Sequence, residues 1–212
     1  SAKQIPTIYL RPSKGWLSID FKEVWRYREL IFFLTWRDIK VRYKQAILGI
    51  AWAVLQPLLT TVVFTIIFGI LLGTPSQELP YPLFAMTALL PWGLFSTALQ
   101  RSSVSLVGNA NLITKIYFPR LAIPLSSVFA ALVDFGVSFV VLLLVMAYYR
   151  YWPGWNMVWL LPMVLLALLT ALAVGLWLSA LNVQYRDVQH MVPFLTQLWM
   201  YASPIVYPIE TI

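Results

Sequence analysis

The sequence predicts an all-α integral membrane protein. Of its 212 residues, 60% are hydrophobic and only 11% are charged, whereas about a quarter of the residues of soluble domains are charged. The apolar residues come in runs of about 20 or more, the length that a helix needs to cross a hydrocarbon core about 30 Å thick. Lys and Arg are also distributed unevenly among the loops, which is typical of a multi-span helical protein with one orientation.

The hydropathy pattern divides the chain into a cytoplasmic N-terminal segment, residues 1–44, and a transmembrane domain, residues 45–212. The apolar runs that predict spans lie at about 46–72, 82–107, 121–149, 157–181 and 191–207. If the loops alternate between the two sides, fourteen of the fifteen Lys and Arg residues share one side and only Arg150 lies opposite. Because positive residues are enriched in cytoplasmic loops, the N-terminus is predicted to be cytoplasmic. The same distribution explains the net charge of +7 without a nucleic-acid partner.

The segment before the first span predicts an amphipathic helix that lies in the cytoplasmic membrane interface. Asp20 followed by Glu23 resembles a capping box, and Asp38 with Arg42 is spaced for an ion pair on a helix. An apolar stripe beside a basic stripe attracts such a helix to anionic headgroups, although docking to a partner protein would use the same surface. The stripes contain Trp25, Phe32, Trp36, Ile39 and Tyr43 on the apolar side and Arg26, Arg37, Lys40 and Lys44 on the basic side.

A second short helix is predicted at residues 111–118, between the second and third apolar runs. Gly108 and Asn109 suit a helix end, Asn111 can cap the next helix, and Pro119 disfavours helix at Phe118. Two turns are too short to be stable alone in water, so the element needs a membrane or a protein to lie on. Its apolar side groups Leu112, Ile113, Ile116 and Tyr117, and its cations are Lys115 and Arg120.

Groups that carry catalysis or bind metals are scarce. The sequence has no Cys, and its one His, His190, has only Asp187 nearby, which makes a poor metal set. No G-x-x-x-x-G-K-[ST] phosphate loop occurs, and no two carboxylates are placed to share a site. No catalytic residue, no metal site and no cofactor held by this chain is therefore predicted. Asp134, the one acid deep in an apolar run, is expected to tie two helices together as a protonated or hydrogen-bonded acid, and contact with a substrate or a proton is the alternative.

Aromatic and amide side chains inside the spans allow two interpretations. The first is ordinary apolar packing. The second is a channel whose rings stack on sugar faces while glutamine side chains offer hydrogen bonds. The candidate channel-lining residues are Gln56, Trp92, Phe95, Gln197, Trp199 and Tyr201.

Three separated blocks resemble the permease subunits of ABC transporters that export polysaccharide or teichoic acid, and most of all the O-antigen polysaccharide permeases. "WRDIKVRYKQAILGIAWAVLQPL" at 36–58 resembles that family's entry to the first span. "NANLITKIYFPRLAIPL" at 109–125 resembles its cytoplasmic connector between the second and third spans. "LNVQYRDVQHMVPFLTQLWMYASPIVYP" at 181–208 resembles its fourth-to-fifth connector, its fifth span and the start of an outer re-entrant element.

The resemblance implies a permease that moves a lipid-linked polysaccharide such as O-antigen across the bacterial inner membrane. The partners that it implies are a second copy of this chain and two copies of an ATPase subunit, which would hold ATP and Mg. Members of this family have six spans, so the sixth is expected to be absent from this chain. The resemblance assigns ATPase contact to the interface helix (Trp25, Arg26, Phe32, Trp36, Arg37, Asp38, Lys40) and to the coupling helix (Leu112, Ile113, Lys115, Ile116, Tyr117, Phe118, Arg120).

Two other functional classes remain open at this point. A membrane enzyme acting on a polyprenyl-linked sugar would need paired acids near the membrane surface, which the sequence lacks. A secondary transporter would use Asp134 as a proton relay.

Overall fold

The computed structural model describes residues 21–44, 50–71, 80–203 and 205, and within these ranges the chain forms helices and turns without a strand. The all-α prediction is therefore confirmed for this part of the chain. A π-helical stretch, Thr65–Leu71, continues α3, and a 3-10 turn, Trp155–Trp159, leads into α7. The α-helices are α1 (Phe21–Arg26), α2 (Arg28–Lys44), α3 (Ile50–Phe64), α4 (Tyr81–Gly108), α5 (Ala110–Lys115), α6 (Ala122–Tyr148), α7 (Leu160–Gln184) and α8 (Val188–Ala202).

Four helical stretches are long and apolar enough to cross a membrane, and they coincide closely with the first four apolar runs. At 1.5 Å per residue, the 28 residues of α4 extend about 42 Å, which exceeds the hydrocarbon core by about 12 Å. The stretches are Ala51–Leu71, Tyr81–Gly108, Ala122–Tyr148 and Trp155–Gln184.

The predicted fifth span, 191–207, corresponds in part to α8. This helix has 15 residues and so extends about 22 Å. Residue 204 and residues 206–212 lie outside the described part of the chain. The fifth span, the re-entrant element and the division into 1–44 and 45–212 therefore stay predictions.

The bundle is organised around α4, which packs most extensively against α7 and α6. The closest approach is between α4 and α7, where a Cβ placed on Gly175 would lie 2.5 Å from Ser102 Oγ and 2.6 Å from Ser102 Cβ. Only glycine therefore permits this spacing of the two helices. The buried core that joins α4, α6, α7 and α8 consists of Leu94, Ala98, Leu99, Val128, Ala131, Ala171 and Val192.

The predicted N-terminal helix is interrupted at Tyr27, so α1 and α2 are separate. Near its start α2 buries Ile31 against the first turn of α6. Further along, Thr35 Oγ1 donates a hydrogen bond to the Ser126 carbonyl oxygen at 3.4 Å. Arg42, near the end of α2, contacts Asp134. These contacts show that α2 runs beside α6 in the same direction. The predicted cap, Asp20, lies outside the described residues.

Candidate functional site

A cavity of about 470 Å³ lies between α3, α4 and α8. Three of the candidate channel residues, Gln56, Trp92 and Gln197, lie on its wall. Gln100 Nε2 donates a hydrogen bond to Thr196 Oγ1 at 2.9 Å and so links α4 to α8 across the wall. The wall therefore offers amides and hydroxyls beside an aromatic ring, the groups that suit a polyhydroxylated ligand. Its remaining hydroxyl groups belong to Thr60, Thr61, Ser96 and Thr97.

The other three candidate channel residues, Phe95, Trp199 and Tyr201, are not on this wall. The Phe95 ring lies 5.5 Å from the Trp92 ring and 5.7 Å from the Trp199 ring, centroid to centroid, and so packs against both. Tyr201 follows the wall residue Met200, and successive helical residues point about 100° apart. A channel-lining role stays a prediction for all six residues.

A charged cluster adjoins this cavity. Asp134 of α6 forms ion pairs with Arg42 of α2 and with Arg101 of α4, the latter at 2.6 Å. Tyr43 donates a hydrogen bond to Asp134 Oδ1 at 2.6 Å. Burial first, and the bond to Asp134 second, raise the pKa of Tyr43 to about 12, so its hydroxyl stays protonated at neutral pH.

This cluster confirms the prediction that Asp134 ties helices together, and it extends that prediction from two helices to three. The expected pair of Asp38 with Arg42 is wrong, because Asp38 pairs with its neighbour Arg37 at 2.7 Å and Arg42 turns towards Asp134. From the sequence, Arg101 is only one of the fourteen Lys and Arg residues predicted on one side of the membrane, with no partner assigned to it. The signal that could have found the cluster is two opposite charges, Arg101 and Asp134, in apolar runs that a short connector joins, since a charge in such a run needs a partner.

The coupling helix, predicted at residues 111–118, is shorter in the structure. The helix spans residues 110–115, and Ile116 is already extended. Its N-terminal cap position is held by Asn109 and not by Asn111. The Asn109 side chain makes no capping bond: its Nδ2 donates to the Ser105 carbonyl oxygen and its Oδ1 accepts from Arg37 at 2.8 Å. Arg37 thereby fastens α2 to the junction of α4 and α5.

The residues assigned to ATPase contact separate into two groups. Phe118 is buried among α2 and α6, so it anchors the connector and is not available to a partner. Leu112 and Ile113 pack partly against the same cluster. The exposed members are Lys115, Ile116, Tyr117 and Arg120.

The apolar stripe of the interface helix is mostly exposed. Trp25, Phe32 and Trp36 are 71%, 72% and 56% exposed, while Ile31 and Leu34 bury the opposite face. The three aromatic side chains line one wall of a groove of about 620 Å³ between α2 and α6. Arg26 and Lys40 are exposed, and Arg37 and Asp38 are half-buried. Lipid contact for this stripe stays a prediction.

In the described ranges no group of three or more His, Asp or Glu residues is placed to hold a metal ion. His190 is exposed, and its Nε2 lies 3.1 Å from Gln189 Nε2.

Known proteins resemble this chain along most of its length. The sequence profile of the ABC-2 type transporter family matches residues 29–212. The O-antigen export system permease protein RfbA of Myxococcus xanthus is 37% identical over 193 residues, which are 90% of this chain and 73% of the relative. The protein of the same name from Klebsiella pneumoniae is 32% identical, covering 87% of this chain and 71% of the relative. The polysialic acid transport protein KpsM of Escherichia coli is 24% identical, covering 83% and 69%. This chain belongs to the ABC-2 type transporter family.

Proposed function

We propose that this chain is the transmembrane permease subunit of an ABC exporter of polysaccharide. The observation that carries the proposal is its similarity, over about nine-tenths of its length, to a permease named for O-antigen export. The more specific part of the proposal is a lipid-linked polysaccharide, such as O-antigen, that crosses the bacterial inner membrane from a cytoplasmic N-terminal side. The cavity with Gln56, Trp92 and Gln197 fits that substrate, because amides and rings contact the polar edges and apolar faces of sugars.

ATP hydrolysis belongs, in this proposal, to a separate ATPase subunit present in two copies, each with its own ATP and Mg. The exposed residues Lys115, Ile116 and Tyr117 form the contact with it. Arg37 and Phe118 fasten this segment to α2, α4 and α6. A displacement of the segment by the ATPase would therefore be transmitted directly to these helices. The cations of α2 would meanwhile hold anionic lipid headgroups.

A second copy of this chain would complete the translocation pathway. Two of the helices that line the cavity, α3 and α8, also expose large apolar side chains. A copy related by a two-fold axis would cover these side chains and close the pathway. On α3 and α8 they include Leu59, Val63, Phe194, Leu198 and Trp199.

The membrane-enzyme alternative finds no paired acids in the described part of the chain. The secondary-transport alternative relied on Asp134, whose two carboxylate oxygens are occupied by Arg42, Arg101 and Tyr43. Neither alternative is favoured by an observation of its own.

The test is capture and complementation. The full-length permease, purified in nanodiscs, should retain an ATPase encoded beside its gene, and a strain lacking the permease should regain surface polysaccharide when the gene is restored. A permease that captures no ATPase and restores no surface polysaccharide would rule the proposal out.

A further inference from the structure

The charged cluster carries more positive than negative charge. Two guanidinium groups, Arg42 and Arg101, share the single carboxylate of Asp134. Tyr43 is neutral and uses its hydroxyl to donate to the same carboxylate. The four side chains together therefore leave one positive charge without a counter-charge, while the Arg42, Arg101 and Asp134 side chains are only 34%, 28% and 21% exposed.

The unused hydrogen-bonding capacity belongs to Arg101. Its Nη2 contacts Asp134, but its Nη1 is buried and has no hydrogen-bond partner among the described residues. A small cavity of about 170 Å³ lies against the cluster, and all four cluster residues line it together with the polar residues Gln56, Thr97 and Ser138. The Asp134 carboxylate on this wall is already held by Arg42, Arg101 and Tyr43. A buried donor on a cation without a partner, beside an open space with further polar groups, is the arrangement expected of an anion site.

The small cavity adjoins the larger one. Gln56, Pro57 and Thr97 line both, so they form the wall between them. Along the helix axis, Arg101 lies about 10 Å before Gly108, the last residue of α4. Since α4 exceeds the hydrocarbon core by about 12 Å and its polar residues cluster at this end, the excess length is on this side. Arg101 therefore lies nearer to the lipid headgroups than to the middle of the bilayer.

We propose that the small cavity bounded by Arg42, Arg101 and Gln56 binds a phosphate or diphosphate group. Arg101 Nη1 donates to the anion while Asp134 keeps both guanidinium planes in place. A guanidinium fork matches the oxygens of phosphate, and the adjoining larger cavity leaves room for whatever the phosphate carries. This inference rests on the proposed function and adds to it that a phosphate group joins the lipid to the polysaccharide. A free phosphate offers the same chemistry.

The experiment measures binding to the permease in nanodiscs of phosphatidylcholine, which has no net charge. Inorganic pyrophosphate and farnesyl diphosphate are titrated separately, with sodium acetate at equal ionic strength and farnesol as the phosphate-free controls. The readout is the fluorescence of Trp52, which lines the small cavity. Its signal is obtained by subtracting the fluorescence of a Trp52→Phe variant titrated in the same way. Isothermal titration calorimetry supplies the affinity.

Arg101→Gln is expected to weaken binding about ten- to hundred-fold, the effect of losing one charged hydrogen bond. This variant leaves Asp134 paired with Arg42, so it should fold. Asp134→Asn removes the only negative charge of the cluster but keeps a side-chain oxygen that can accept from the arginines. It should therefore tighten binding, a change that damage to the fold would not produce. The matched control is Arg186→Gln, an exposed arginine in the loop between α7 and α8.

The site is supported if both phosphates bind, or farnesyl diphosphate alone binds, and if Arg101→Gln weakens that binding while Asp134→Asn tightens it. Binding of farnesyl diphosphate alone would identify the ligand as a lipid-borne phosphate. Absence of binding, or binding that Arg101→Gln and Asp134→Asn leave unchanged, overturns it. Capture of the ATPase with no phosphate binding would reject this inference and leave the proposed function standing.

Discussion

Asp134 and Gly175 each set the position of neighbouring helices, by different physical means. Asp134 holds α2, α4 and α6 at one point because three donors converge on its carboxylate. Because two arginines share this one carboxylate, the cluster keeps an ion pair when either arginine is replaced. Gly175 acts through the absence of a side chain, which lets α7 approach Ser102 of α4.

Gly175→Ala is expected to lower the stability of the permease by about 1–3 kcal/mol, the usual cost of overpacking a close contact. Rotation of Ser102 Oγ cannot relieve the clash, because Ser102 Cβ would also lie 2.6 Å from the new methyl group. Thermal unfolding in detergent, followed by intrinsic fluorescence, measures the effect, and Ser102→Gly in the same chain should restore part of the loss.

Gly136→Ala is the matched control, since a Cβ on Gly136 of α6 meets nothing within 4 Å. Alanine is the better helix former by up to about 1 kcal/mol, so this variant should unfold at the same temperature or higher. Equal unfolding temperatures for Gly175→Ala and Gly136→Ala would contradict the close approach of α4 and α7.

At the scale of elements, the connector after α5 divides its residues between anchoring and contact. Lys115→Ala or Tyr117→Ala should reduce the stimulation of the partner ATPase by about five-fold, the effect of losing about 1 kcal/mol at a protein contact. Both side chains are exposed, so the unfolding temperature of the permease should change little. The measurement is the ATPase rate of the reconstituted complex.

Two further variants serve as controls for that prediction. Phe118→Ala should lower the unfolding temperature, because Phe118 is only 7% exposed and truncating a buried Phe costs about 3–5 kcal/mol. Arg150→Ala, on the predicted outer side, should affect neither stability nor stimulation. If Lys115→Ala and Tyr117→Ala stimulate the ATPase as the unchanged permease does, this connector is not the contact.

Hydropathy and helix-breaker patterns in the sequence predicted where most helices lie. They failed at helix ends that are determined by contacts with residues distant in the sequence. The coupling helix was expected over 111–118 because Pro119 was the first strong breaker, yet it ends at Lys115. The reason is tertiary: Phe118 packs into the cluster under α2, which draws Ile116 into an extended conformation. Asn109 similarly bonds to Arg37, a residue 72 positions away, which local capping rules do not consider.

At the scale of the whole molecule, side-chain partners were the least predictable feature. Spacing on one helix favoured Asp38 as the partner of Arg42, but Asp134, 92 positions away, is the partner found. Periodicity states which residues share a face, whereas the cavity depends on how α3, α4 and α8 are arranged around it. The sequence therefore placed Phe95 beside Trp92 in one set of channel-lining candidates, and only the arrangement of the helices shows that Phe95 lies off the cavity wall and packs against the Trp92 ring.

The cavity leads to the last prediction, which concerns export by the assembled transporter. Trp92→Ala should slow the appearance of polysaccharide at the cell surface by about three- to ten-fold, as expected for losing about 1 kcal/mol of contact with a ring. Trp177→Ala is the control, because Trp177 is a span residue that is 64% exposed on α7 and does not line this cavity. Pulse labelling of surface glycan, at matched permease levels in the membrane, measures the rate. Phe95→Ala should act in the same direction and more weakly, since it removes one of the two rings that pack against Trp92 and leaves the wall itself in place. Equal export by Trp92→Ala and Trp177→Ala would show that the polysaccharide does not pass along this wall.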